Sequence, residues 1–176
     1  MPTNSHGPEI VLDLLDAFRW SQTMFAAVSL GVFDALHKRS CTAETLAAEL
    51  SADAGALERL LDGCTGLGLL IKEHGSYRNT PSADTYLRRS SPQTFTGYIL
   101  YSDRALYQLW GGLGDAVREG THRWSAVGGK DALFANFFAT EESKREFLAG
   151  MHGRGLLASP AVVSSFDLSR FRRLVD

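Results

Sequence analysis

The sequence predicts a mainly α protein built around a winged helix, and three observations predict it. Apolar residues recur at helical spacing from residue 9 almost to residue 165. Residues 41–80 interrupt that pattern with two short helices followed by two short strands. The strands flank His74-Gly75-Ser76, a hairpin turn, so the order is helix, turn, helix, β-hairpin.

Each element has its local reason. In residues 9–29, Val11, Leu14, Leu15 and Phe18 fall at helical spacing, and Phe25, Val28 and Ser29 continue the ridge. Trp20 and Met24 widen the apolar face beyond what one partner surface needs, which predicts burial on two sides, one of them against a second subunit. Gly31 breaks this helix and Val32–Leu36 forms a short second one. Residues 42–50 form a helix with Leu46 and Leu50 inward. Ser51-Ala52-Asp53 caps the next helix, residues 54–66, which carries Leu57, Leu60, Leu61 and Cys64 on one face and ends at Gly66 and Gly68. Residues 69–73 and 77–80 are the strands. Pro81 opens a short helix to Leu87, and residues 92–117, 131–138 and 141–165 are further helical regions. The last is read with Phe147, Leu148 and Met151 inward, and Gly150, Gly153, Gly155 and Pro160 weaken its middle, as a hinge or a site of close ligand approach would.

The totals narrow the function. A chain of 176 residues holds one domain with a packed core and an arm; 44% apolar and 22% charged residues are ordinary for a globular protein. Net charge is −2, which supplies no footprint for nucleic acid or an anionic membrane. Cys41 and Cys64 match no metal or redox spacing and read as free thiols. His6, His37, His74, His122 and His152 form no metal-ligand pair, so no metal is expected. No apolar run spans a bilayer and no signal segment opens the chain, so the expected location is the cytoplasm.

Candidate sites are few. A DNA-reading winged helix needs basic residues on its second helix; this one offers Arg59 against Glu58 and Asp62, and the wing offers Lys72 and Arg78 against Glu73. Gly111-Gly112-Leu113-Gly114 follows a helix where a phosphate loop follows a strand, and Asp115 and Glu119 stand next to it. No nucleophile elbow, triad or carboxylate pair is visible, and no catalytic residue is assigned. The strongest ligand candidate is aromatic: Tyr98, Tyr101, Tyr107 and Trp110, with Phe134, Phe137, Phe138, Phe147 and Met151; core packing is the alternative for each.

Taken in order, Leu30-Gly31-Val32-Phe33-Asp34-Ala35-Leu36, Leu57-Glu58-Arg59-Leu60-Leu61, Gly66-Leu67-Gly68-Leu69-Leu70 and Tyr77-Arg78-Asn79-Thr80 resemble the amino-terminal domain of S-adenosylmethionine (SAM)-dependent small-molecule O-methyltransferases. Trp110, residues 115–120, Phe147, Met151 and residues 165–169 extend the likeness, whose nearest flavour is the acetylserotonin group; it runs from about residue 10 to Asp176. The resemblance implies a homodimer through the amino-terminal helices and a small aromatic or polyketide-like acceptor. It also implies a Rossmann-like domain, absent from this chain, that binds SAM and carries a histidine base after Asp176. By the same resemblance Phe147 and Met151 sandwich an aromatic acceptor, Arg154 meets an acceptor oxygen, Leu100 and Tyr101 line the pocket, and Phe18 reaches it from the partner subunit. Arg154 stands where a neutral residue or histidine is usual, which implies an acidic acceptor.

The implied layout is a disordered start at 1–8, a winged-helix dimerisation domain at 9–90, a helical acceptor-pocket region at 91–165, and a linker with the first strand of the cofactor domain at 166–176. Leu174 and Val175 read as that strand, and no glycine-rich turn follows them. The chain alone is expected to bind no SAM and to turn over nothing. The rival readings are a winged-helix transcription regulator and a stand-alone dimerisation module.

Overall fold

The structure, a computed structural model, describes residues 7–173 and 175. Helix α1 (Glu9–Leu30) leads, and Gly31 ends it at a φ of +80°, a left-handed conformation that glycine adopts without the Cβ penalty. Helix α2 (Val32–Ala35) follows at once. Strand β1 (Cys41–Thr42) then runs into α3 (Ala43–Leu50), where the Thr42 hydroxyl caps the helix by accepting from Thr45 N–H. Asp53 does the same for α4 (Ala54–Gly66), accepting from Ala56 N–H at 2.8 Å.

Strands β2 (Leu70–Glu73) and β3 (Ser76–Asn79) form the wing. Their turn is His74-Gly75, and both residues have positive φ, as the favoured two-residue hairpin turn requires. The register pairs Lys72 with Tyr77 and Leu70 with Asn79. Strand β1 joins the other edge of β3, giving the antiparallel order β1-β3-β2. The hairpin is therefore a three-stranded sheet, with one strand more than the sequence predicts.

The remaining elements are helical: α5 (Pro81–Tyr86), α6 (Thr96–Tyr101), a π-helical turn (Ser102–Leu106), α7 (Tyr107–Gly111), α8 (Leu113–Glu119), a 3-10 turn (Trp124–Val127), α9 (Lys130–Phe137) and α10 (Glu141–Ser164). The helical region expected at 92–117 is thus four segments, divided by the π turn and by Gly112. Thr140 and Ser143 cap α10 reciprocally, and the helix continues through Pro160.

Two apolar clusters hold the fold. The larger joins Phe25, Val28, Val32, Phe33, Leu36, Leu46, Leu57, Leu61, Cys64, Leu70 and Tyr77 with Ile99 and Leu100 of α6. The smaller joins Ala105, Leu133, Phe137 and Phe147, with Tyr101, Trp124 and Phe134 against it. One guanidinium ties three elements together. Arg89 pairs with Asp34 of α2 at 3.0 Å and Glu146 of α10 at 3.1 Å, and donates to the Val28 carbonyl of α1 at 3.3 Å.

Helix α10 corrects two sequence expectations. Leu148 and Met151 face solvent, at 49% and 43% exposure, and the buried side of the helix is Phe147, Gly150 and Gly153. The physical reason is the close crossing of α6 and α10. A Cβ on Gly150 would lie 2.7 Å from Gly97 C and 2.8 Å from Gly97 Cα. A Cβ on Gly97 would lie 2.6 Å from Glu146 C, and one on Gly153 would press on the Thr94 carbonyl. Glycine here permits a tight helix–helix contact; it does not loosen the helix.

Of the expected carboxy-terminal strand, Leu174 and Asp176 lie outside the described residues, and Val175 is exposed with no strand partner. Residues 1–6 of the expected disordered start also lie outside them, and Pro8 is the residue that precedes α1. No helix among the described residues is long and apolar enough to cross a membrane.

Candidate functional site

The aromatic residues do not form one site. Phe137 and Phe147 line one hollow, Tyr98 a second, and Tyr107 and Trp110 a third, while Tyr101, Phe134, Phe138 and Met151 line none of these.

The most enclosed hollow is a cavity of about 230 Å3 between α6, the π turn, α9 and α10. It is lined by the apolar Leu100, Leu133, Phe137 and Phe147 and by the polar Arg104, Gln108, Asn136, Ser143 and Glu146, of which Arg104, Gln108 and Asn136 are exposed. Tyr101 packs edge-on against Phe137 at 5.3 Å and Phe147 at 5.6 Å between centroids, a favoured aromatic geometry. Burial pushes the Tyr101 hydroxyl above its ordinary pKa, with the Tyr98 hydroxyl as a smaller cause. Phe134, Phe137 and Phe138 surround Phe147.

The second hollow is a broad groove lined by Met24 and Phe25 of α1, Tyr98 and Ile99 of α6, and Arg154 and Leu157 of α10. Arg154 places its guanidinium 4.2 Å from the centre of the Tyr98 ring, a cation–π contact. The third lies beside it and is lined by Phe18, Phe25, Leu106, Tyr107 and Trp110.

The six sequence-predicted site residues are therefore distributed. Leu100 and Phe147 line the enclosed cavity, and Tyr101 backs Phe147. Arg154 lies in the second hollow and Phe18 in the third. Met151 stands one turn along α10 from Phe147, on the open surface. Arg104, Gln108 and Asn136 were not expected in the site. Gly97, Leu100, Arg104 and Gln108 recur at helical spacing, a signal present in the sequence but obscured by the absence of any matching polar motif.

The wing carries no free cationic face. Lys72 pairs with Asp62 at 2.7 Å and Glu58 at 3.5 Å, and Arg78 pairs with Glu73 at 3.0 Å. Tyr77 donates its hydroxyl to the same Asp62 at 2.7 Å, and these two donors, Lys72 first, hold the Asp62 carboxyl below its ordinary pKa. A surface whose cations are already paired offers little to phosphate.

Gly111 ends α7, Gly112 separates it from α8 and Gly114 lies within α8, so a helix and not a strand leads into these glycines, and Asp115 stands in the first turn of α8. Among the described residues no cluster of His, Cys, Asp and Glu could hold a metal ion.

The amino-terminal half of α1 has no cover. Val11, Leu14, Leu15, Phe18 and Trp20 are all exposed, and the helix buries only Phe25, Ala27 and Val28. Leu156, Leu157, Val162 and Val163 at the end of α10 are exposed as well. Exposed apolar residues gathered in this way occur where proteins meet other proteins, membranes or ligands.

Residues 12–89 match the family model of the O-methyltransferase dimerisation domain. Acetylserotonin O-methyltransferase of Gallus gallus is 36% identical over 178 residues, covering 96% of this chain and 51% of the relative. The crystal structure of human N-acetylserotonin methyltransferase in complex with SAM superposes with a TM-score of 0.76 at 32% identity, covering 96% of this chain and 52% of that one. PigF with SAH superposes with a TM-score of 0.78 at 25% identity, covering 93% of this chain and 49% of that one. The chain spans about half the length of the acetylserotonin O-methyltransferases it matches.

Proposed function

We propose, from the match of residues 12–89 to the O-methyltransferase dimerisation domain, that the whole protein is a cytoplasmic, homodimeric, SAM-dependent O-methyltransferase of a small aromatic or polyketide-like acceptor. One observation carries the reading most: the matched segment begins on α1, whose apolar amino-terminal half stands uncovered. A second copy of α1 covers it. Phe18, exposed on that helix, then meets residues of both subunits.

Residues 9–90 are the dimerising domain and residues 91–165 the acceptor wall. Leu100 and Phe147 hold the flat face of the acceptor, with Tyr101 packed behind Phe147, and Met151 closes over it once a further domain packs on α10. SAM and the histidine base belong to that further domain, which supplies the methyl group and takes the acceptor's proton. The residues of this chain contribute orientation and the exclusion of water, both of which lower the barrier without proton transfer. Alone they bind no SAM.

The test is methyl transfer by the full-length protein from methyl-labelled SAM to a panel of phenols. Label in an acceptor is the expected result. A protein that binds no SAM and labels no phenol would refute the assignment. Paired cations on the wing give the regulator reading no support.

A further inference from the structure

We propose that the enclosed cavity recognises the carboxylate of an aromatic acid through Arg104. The inference rests on the methyltransferase reading in one respect, that the acid is the acceptor. At about 230 Å3 the cavity has room for one ring system with a short substituent, since drug-sized ligands fill roughly 300 to 1,000 Å3. Part of its lining is apolar and buried: Leu100, Phe137 and Phe147. The polar lining brings donors in excess, with Arg104, Gln108 and Asn136 at exposed positions on the cavity's edge. Among the described residues Arg104 pairs with no carboxylate, and the Gln108 and Asn136 side chains make no hydrogen bond. Glu146 is the single acid in the lining, and Arg89 already holds it at 3.1 Å.

An apolar floor with surplus donors suits an aromatic anion. Guanidinium grips a carboxylate with two parallel N–H donors, and the amides add neutral donors beside it. Arg104 sits within the π-helical turn, a rare feature that recurs at functional sites. The other arginine near the aromatic cluster, Arg154, stacks on Tyr98 in a different hollow. The acid-recognising residue is therefore Arg104, where the sequence alone pointed to Arg154.

The test is calorimetric titration of the full-length protein with cinnamate and with cinnamamide, followed by SAM in the same sample. Wild type is expected to bind cinnamate about tenfold more tightly, the size of one charge-assisted hydrogen bond. Arg104→Gln abolishes the preference, Arg104→Lys keeps part of it, and Arg154→Gln leaves it unchanged. Equal affinity in wild type, no cinnamate binding, a preference that survives Arg104→Gln, or one lost in Arg154→Gln would each overturn the assignment. The wild-type comparison stands even if a variant misfolds. A sample that binds SAM without favouring cinnamate defeats the cavity assignment alone; one that binds no SAM defeats the methyltransferase reading.

Discussion

The α6–α10 crossing makes a sharp prediction about Gly150. Replacing a helix-interior glycine by alanine ordinarily stabilises a protein by about 1 kcal/mol, through lost backbone entropy in the unfolded chain. At Gly150 the new Cβ meets backbone, at 2.7 Å from Gly97 C and 2.8 Å from Gly97 Cα, where ordinary contact begins at 3.4 Å. Backbone cannot rotate away as a side chain can. The two helices must part by roughly 1 Å, and Phe147, anchored between them and α9, loses its packing; overfilling of this kind costs about 3 kcal/mol. The net effect of Gly150→Ala is a loss of about 2 kcal/mol, or roughly 4–8 °C in melting temperature for a domain of this size. Gly155 is the internal control. It lies on the same helix with nothing within 4 Å of a Cβ, so Gly155→Ala gains about 1 kcal/mol. Thermal unfolding followed by circular dichroism reads both. A Gly150→Ala protein as stable as wild type, or as stable as Gly155→Ala, would refute the close-crossing account.

Other outcomes follow from single contacts. Tyr77 is fully buried and its hydroxyl donates to Asp62 at 2.7 Å, so Tyr77→Phe costs about 1 kcal/mol in urea unfolding. Because Lys72 and Tyr77 depress the Asp62 pKa, their contribution is present above the unfolded value of 3.8 and is lost as pH falls through the lower folded value. Lys72→Met should therefore flatten the loss of stability below pH 3.8, and an unchanged acid limb would contradict the pairing. Burial pushes the Cys64 thiol up to about 11, so iodoacetamide at neutral pH labels Cys64 only after unfolding. If α1 is the proposed dimer seam, Leu14→Asp with Leu15→Asp on its exposed face gives a monomer in light scattering while leaving the melting of the winged helix in place, and a mass unchanged from wild type would contradict the proposal.

The winged helix was legible because its signals are local. Asp53 and Gly68 punctuate α4, and the spacing of Leu57, Leu61 and Cys64 names its buried face. Strand β1 was not legible: two residues carry no periodicity, and only pairing with Ser76 and Tyr77 makes Cys41 and Thr42 a strand. The buried ridge of α10 was misread for a similar reason. Apolar side chains were expected to turn inward, whereas the inward ridge is Phe147, Gly150 and Gly153, and its meaning appears only with Gly97 opposite. In the site, Phe147 and Leu100 were legible as apolar wall. Arg104, Gln108 and Asn136 were not, because they come from three elements, the π turn, α7 and α9, and match no motif until folding brings them to one cavity.

Native mass spectrometry of the full-length protein with SAM bears most directly on the central claim. Two chains carrying two molecules of SAM is the predicted assembly, with residues 7–173 alone dimeric and free of SAM. A full-length protein that is monomeric, or that takes up no SAM, would contradict the account.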